Sequence, residues 1–435
     1  MRLPMLKILP WCLCVFVPGA AALGQDADPA QPGEATLQVF LDCQTFFCDF
    51  DHFRREISFV NWVRDRQDAD VHVLGTGQAT GGGGRAHTIA FIGVGQFAGR
   101  TDTLRYVSGN TDTPAEIRDE LVRIVKLGLV PFVAPTQTGE RLDVIYRSPT
   151  TARPTTRADE ADPWNLWVFT VGVGGNVSGE SERRSIAGNG SIRANRTAED
   201  FKVDIRVTGR ASRDETDVPE LDTTFVNTQR RFNFDGLFVW SLGDHWSAGI
   251  RTSALHNNFI NQDLTLRAGP ALEYNLYPYD ESTRRQLTFR YSLGVSAFDY
   301  EEVTVFGRTS EVRPNHQLEV GLAVQQPWGS ILASVDAFQY LHDRSKHRVS
   351  LFGGPRIRLF RGLTFNVFGS VARIKDQIFI ADSGLTSDER LLRIRQFSTD
   401  FRYFVNLGLS YRFGSKWANV VNPRMGGGGG VFFFF

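Results

Sequence analysis

Ser398–Phe413 reads STDFRYFVNLGLSYRF. Phe401, Tyr403, Val405, Leu407, Leu409, Tyr411 and Phe413 fall on every second position. Arg402, Phe404, Asn406, Gly408, Ser410 and Arg412 lie between them. A period of two sets alternate side chains on opposite faces of a strand, here one apolar and one mostly polar. A water-soluble sheet buries such an apolar face. A sheet that spans a bilayer turns it to lipid and keeps the polar face inside.

The same alternation recurs from Trp164 onward. Trp167, Phe169, Val171 and Val173 open the series, and Ile186–Arg193 is a weaker strand. Phe201, Val203, Ile205 and Val207 alternate with Lys202, Asp204, Arg206 and Thr208. Further runs begin near Phe232, Trp246, Leu264, Leu287, Leu318, Ile331, Val349 and Leu363. With Ser398–Phe413 this makes about twelve strands, each near the ~9–11 residues that cross a bilayer. Connections after even strands are short: Asn195–Glu199, Ser241–His245, Tyr277–Arg285, Gln326–Gly329 and Phe360–Gly362. Those after odd strands are mostly longer: Ser212–Thr223, Asp299–His316 and Arg373–Phe397. Trp164, Trp167, Trp240, Trp246, Tyr277, Tyr279, Trp328, Phe360, Phe413 and Trp417 gather at the short-turn end, as a girdle at the headgroups requires.

Asn406-x-Gly408-x-x-Tyr411-x-Phe413 also resembles the final-strand insertion signal of Gram-negative outer-membrane β-barrels. The resemblance implies insertion by the barrel-assembly machinery and a wall in contact with outer-membrane lipid. The expected fold is therefore mainly β: a transmembrane antiparallel barrel of about twelve strands over 163–413, preceded by a small α+β domain.

Residues 1–24 read as a secretory signal. Arg2 and Lys7 flank the apolar run Ile8–Val17, and Ala20–Ala22 offers a cleavage site. The 48 Lys and Arg balance 48 Asp and Glu, and loss of the leader leaves a charge of −2. Such a balance predicts no nucleic-acid partner. Cys43 and Cys48, a close pair in an oxidising compartment, are expected to form a disulfide. With His52 alone nearby, they are too few for a zinc site.

Within 25–147, Thr36–Asp42 reads as a strand and Asp49–Arg66 as a helix, from Phe50, Phe53, Ile57, Val60 and Val63. Asp70–Thr80, Arg85–Gly93 and Thr101–Ser108 form a meander, with Gly81–Gly84 as a hairpin tip. No Gly-Lys-Ser/Thr follows those glycines, so no phosphate loop is expected. Thr113-Pro114-Ala115-Glu116 caps a second helix, which Gly128 is expected to stop. This element order loosely resembles the amino-terminal domain of TolB-like periplasmic proteins; the likeness is of topology and transfers no functional residue. The domain is expected in the periplasm, facing a periplasmic envelope protein. Residues 148–162 lack periodicity and read as a linker. Residues 414–435, ending VFFFF, are a tail expected to dock on the barrel or the domain.

The inward face is expected to carry Lys202, Arg206, Arg210, Arg251, Arg267, Arg290, Arg356, Arg358, Arg402 and Arg412. Against them stand Asp204, Asp235, Glu273, Glu319 and Asp336. Such a lining either attracts anions or knits itself into salt bridges that fill a narrow barrel. His256, His316, His342 and His347 fall in outer connections, and no Gly-x-Ser-x-Gly or His-Glu-x-x-His accompanies them. No catalytic residue, metal or cofactor is therefore assigned. The sequence favours an envelope structural or adaptor protein with a narrow or plugged lumen. A small anion-preferring channel is the alternative, and an outer-membrane hydrolase the third reading.

Overall fold

The computed structural model describes residues 36–43, 48–145, 162–218, 223–382, 396 and 398–420. The candidate signal, most of the linker and the VFFFF end lie outside them.

The amino-terminal part is a five-stranded sheet in the order β2-β1-β3-β4-β5. Its strands are β1 (Gln38–Cys43), β2 (Asn61–Trp62), β3 (Val71–Ala79), β4 (Arg85–Gly93) and β5 (Thr101–Ser108). β1 runs parallel to β2 and β3; the rest is antiparallel. Helix α1 (Phe50–Glu56) is shorter than its apolar spacing predicts. The chain leaves the helix at Ile57, and Val60 and Trp62 then enter the core from extended backbone that pairs with β1. The Trp62 indole N–H donates to the Ile57 carbonyl at 3.2 Å and ties the two segments together.

Helix α2 (Pro114–Val133) opens with the expected capping box: Thr113 Oγ1 accepts from the Glu116 N–H, and Glu116 accepts from the Thr113 N–H at 2.7 Å. It does not end at Gly128 but continues to Val133, through Pro131. Gly128 is there for packing, since a Cβ on it would lie 2.0 Å from Phe91 Cζ. Leu37, Val39, Val71, Val73, Ile89 and Phe91 of the sheet meet Leu121, Val125, Leu129 and Phe132 of α2 in one core. Cys43 and Cys48 are joined by a disulfide with Cα atoms 6.0 Å apart, which closes the β1–α1 connection.

Among the described residues from Trp167 onward, the strands form one twelve-stranded antiparallel sheet in which every neighbour is the next strand in sequence. Its strands are β6 (Trp167–Gly179), β7 (Arg183–Thr197), β8 (Phe201–Val218), β9 (Thr223–Ser241), β10 (Trp246–Asn257) and β11 (Gln262–Asn275). They continue as β12 (Arg285–Asp299), β13 (Ser310–Gln326), β14 (Gly329–Tyr340), β15 (His347–Phe360), β16 (Leu363–Ile374) and β17 (Phe401–Tyr411). The expected loop Ser212–Thr223 is mostly strand: the β8–β9 ladder runs out to the pair Val218 and Thr223. Polar residues alternate on both faces there, so no apolar period marked the extension.

The sheet curls. Arg251 of β10 reaches Glu319 of β13 at 3.6 Å, across two intervening strands. Among the described residues no ladder joins β6 to β17, the first and last strands. The outer face is apolar and exposed, as on β12, where Phe289, Tyr291, Leu293 and Val295 are all open to the surroundings while Arg290, Ser292 and Ser296 face inward.

Candidate functional site: a capped mouth and a charged inner face

The five-stranded sheet has a core on one face only, yet its other face is buried too. Asp42, His72, Leu74, Thr76 and Thr88 alternate with core residues along β1, β3 and β4, and each is at most 6 % exposed. What covers this face is the short-turn end of the large sheet. Arg358, near the end of β15, donates from Nη2 and Nη1 to Asp42 Oδ1 and Oδ2, both at 2.7 Å. Its Nη1 also donates to the Pro327 carbonyl, and its guanidinium lies 5.3 Å from the Phe40 ring centroid. In the β15–β16 turn, Arg361 pairs with Asp68 at 2.7 Å and the Gly362 N–H donates to Asp65 Oδ2 at 2.7 Å.

Two further turns hold the cap. Ser282 donates to Gln78 Oε1 at 3.1 Å, and Asn195 Nδ2 donates to the Gly81 carbonyl. A Cβ on Gly81 would fall 2.3 Å from Thr197 Cβ, so the glycine tip lets the β3–β4 hairpin seat on the β7–β8 turn. Beyond β17 the chain returns to the cap. Trp417 bridges Val63, the Arg64 N–H donates to the Lys416 carbonyl and the Ala418 N–H to the Trp62 carbonyl, each at 2.9 Å. This part of the tail therefore docks as an extra edge on β2.

Burial acts to raise the Asp42 carboxyl, but hydrogen bonds from His72 and Arg358 outweigh it and hold the group at about 2. His72 Nε2 sits 3.3 Å from Asp42 Oδ2, so it is the N–H on that nitrogen that donates. Burial in turn lowers His72 below the usual imidazole value, Asp42 notwithstanding. The pair is a carboxylate and a neutral imidazole at neutral pH.

Register sets nine of the ten basic residues expected inside on one face of the sheet; Arg412 lies just past the end of β17. Arg290 pairs across with Glu273 on β11 and Glu319 on β13, and Glu319 with Asp336 on β14. Arg290 bonds Glu273 at 2.6 Å and also bonds Glu319, which Arg251 approaches from the side. Tyr279, expected in the aromatic girdle, turns inward instead, its hydroxyl 3.1 Å from both Glu273 Oε1 and Ser247 Oγ. Asp204 bonds Arg193, a residue the sequence reading did not single out, although outward Ile192 beside it marks its face. Arg267 stacks on Phe298 at 5.9 Å. Lys202, Arg206, Arg210, Arg356, Arg402 and Arg412 make no ion pair among the described residues. Of the insertion-signal residues, Tyr411 and Phe413 stack at 5.5 Å on the outer surface. Gly408 faces inward opposite Asn366, where a Cβ would lie 2.4 Å from Oδ1; Asn406 lies opposite Phe368.

The far end is crossed by chain. After β16, residues 376–382 pass over the inner face to the loop after β12. The Val305 N–H donates to the Ile380 carbonyl and the Asp382 N–H to the Val303 carbonyl, both at 2.9 Å. Ile378 and Phe379 bury against Phe298, Tyr300 and Tyr340. Asn261, in the left-handed region at φ 57°, donates to the carbonyls of Glu302 and Phe379 and pins the crossing. Arg348 reaches Asp376 of the same segment at 3.1 Å.

Three of the four histidines considered for catalysis hydrogen-bond to neighbouring groups. His256 Nδ1 meets the Asp263 carbonyl at 2.8 Å, His316 lies between Tyr291 and Gln339, and His347 Nδ1 meets the Arg344 carbonyl at 3.1 Å.

The fold defines a mainly β protein: a curled twelve-stranded antiparallel sheet carrying a small α+β cap. No protein-family model matches the chain, and no curated protein matches it. Among solved structures it is similar to the translocator domain of the autotransporter NalP from Neisseria meningitidis, at 12% identity and TM-score 0.26, over 57% of this chain and 87% of that one. It is also similar to the NanC porin, at 8% identity and TM-score 0.26, over 56% of this chain and 99% of that one. At these scores neither structure assigns an activity to this chain.

Proposed function

We propose that the protein is an outer-membrane β-barrel closed by β6 on β17, stoppered at both mouths, and acting as an envelope structural or adaptor protein through its periplasmic cap. No helix among the described residues is long and apolar enough to cross a membrane. Support for the bilayer comes from the exposed apolar outer face, which runs from Val171 and Ile192 through Phe232, Leu266, Tyr291 and Leu318 to Leu351 and Leu407. An apolar surface of that extent is stable against lipid and not against water. Edges left open in hydrocarbon would strand a row of peptide groups, which is why the reading includes closure.

The observation that carries the plugged reading is the Asp42–Arg358 pair. A guanidinium on the inner face of the wall is neutralised by the cap that covers the mouth. The cap keeps its own core and its own outer surface, the form expected of a module presented to a periplasmic partner. Conductance tests the reading: the full chain in planar bilayers carries no steady current. A stable anion current through the intact protein would instead support the channel reading, for which the unpaired arginines of the inner face speak.

A further inference from the structure

A charged, water-facing wall explains most of the inner face but not Leu332, Phe352, Phe368 and Phe404. Register puts all four on that face, on the adjacent strands β14, β15, β16 and β17. They are 57 %, 47 %, 43 % and 57 % exposed, so nothing among the described residues covers them. Phe352 and Phe368 meet edge to face at 5.2 Å, and Phe404 lies opposite Ser370, itself opposite Phe352. The band is about 14 Å wide, three strand spacings, and about 7 Å tall, two rows.

Arginines bracket the band. Arg402 stands one row above it, two residues before Phe404, and Arg356 one row below, opposite Asn366. Both are exposed, and neither side chain makes a hydrogen bond or ion pair among the described residues. An apolar strip wide enough for one extended acyl chain, with uncommitted guanidinium groups at its margins, fits a single-chain amphiphile with an anionic head.

We infer that this band binds a long-chain carboxylate, its chain across Leu332, Phe352, Phe368 and Phe404 and its carboxylate on Arg402 or Arg356. A two-chain lipid is too broad for the strip. The site lies on the inner face of β14–β17 and goes beyond the structural role proposed above.

The test uses full-length protein folded in an uncharged detergent, with heat-modifiable migration confirming the fold of every variant. The protein is titrated with cis-parinaric acid, and bound probe is displaced by palmitate or by methyl palmitate. The inference expects saturable one-to-one binding and displacement by palmitate about tenfold better than by the ester, the share of one charge-assisted hydrogen bond. Arg356→Gln with Arg402→Gln abolishes that preference, while Phe404→Ser, on the exposed last strand, weakens acid and ester alike. Three results overturn it: uptake that neither saturates nor responds to these substitutions, displacement by phosphatidylglycerol but not palmitate, or binding that appears only after residues 421–435 are removed. The last would make the chain's own tail the occupant. Heat-modifiable protein that fails to bind leaves the barrel reading standing and this inference refuted.

Discussion

Asp42 and Arg358, 316 residues apart, meet through two parallel hydrogen bonds of 2.7 Å between the cap and the wall. The carboxylate side of the pair is almost fully buried, whereas the guanidinium side chain is about a third exposed at 32%. Removing one partner strands the other. Asp42→Asn or Arg358→Gln should each loosen the cap by ~2–3 kcal/mol, below the ~3–5 of a wholly buried pair. In a double-mutant cycle the double variant should lose less than the sum of the singles. Hydrogen exchange of the β1 and β3 amides reads the effect, and additive losses would show that the pair does not hold the cap.

Acid should release the cap. Asp42 titrates at about 2 in the folded protein, against ~3.9 when unfolded, so its contribution is complete above about pH 4 and lost between about 4 and 2. His72 and His87 are both lowered by burial, so the unfolded chain takes up their protons first. Their effect is a loss of stability that begins as pH falls below ~6.5. Both trends have the same sign. Limited proteolysis of the cap between pH 7 and pH 3 should accelerate as pH falls while the wall resists, and an acid-indifferent cap would refute this.

Gly128→Ala should destabilise the cap by ~1–3 kcal/mol, although alanine is the better helix former, because its methyl collides with the Phe91 ring. Phe91→Leu in the same chain should recover part of the loss. Thermal unfolding of the cap is the readout; a stabilised G128A would mean that the helix can slide off Phe91.

Arg290→Ser leaves Glu273 and Glu319 facing each other without the cation between them. The temperature at which the folded band converts to the slow-migrating form should fall. Arg402→Ser, whose side chain bonds nothing among the described residues, should leave it unchanged. Equal effects from the two would mean that the inner-face pairs contribute nothing to the wall.

What the sequence disclosed divides along a physical line. The wall was legible because period two sets an apolar face and a polar face on each strand, as in Phe289–Val295. The disulfide and the Thr113–Glu116 box were legible because both are local. The shortening of α1 was not, since Ile57, Val60 and Val63 suit a helix face and a core strand equally, and the partner strand β1 decides between them. Gly128 misled because a glycine that ends a helix and one that admits a ring look alike without Phe91 in view. The cap's contacts were hidden for the same reason: Asp42 with Arg358, or Val63 with Trp417, pair residues hundreds of positions apart, and no spacing announces them. Arg358 was expected inside, but its partner was not.

Seating of the cap on the short turns is the claim everything else depends on, and Gln78 with Ser282 reports it directly, their side chains 3.1 Å apart across the junction. A protein carrying Gln78→Cys and Ser282→Cys, oxidised in native membranes, should form the 78–282 crosslink in high yield and migrate as a single faster species on non-reducing gels. Failure to crosslink, in protein whose wall is still heat-modifiable, would contradict the account.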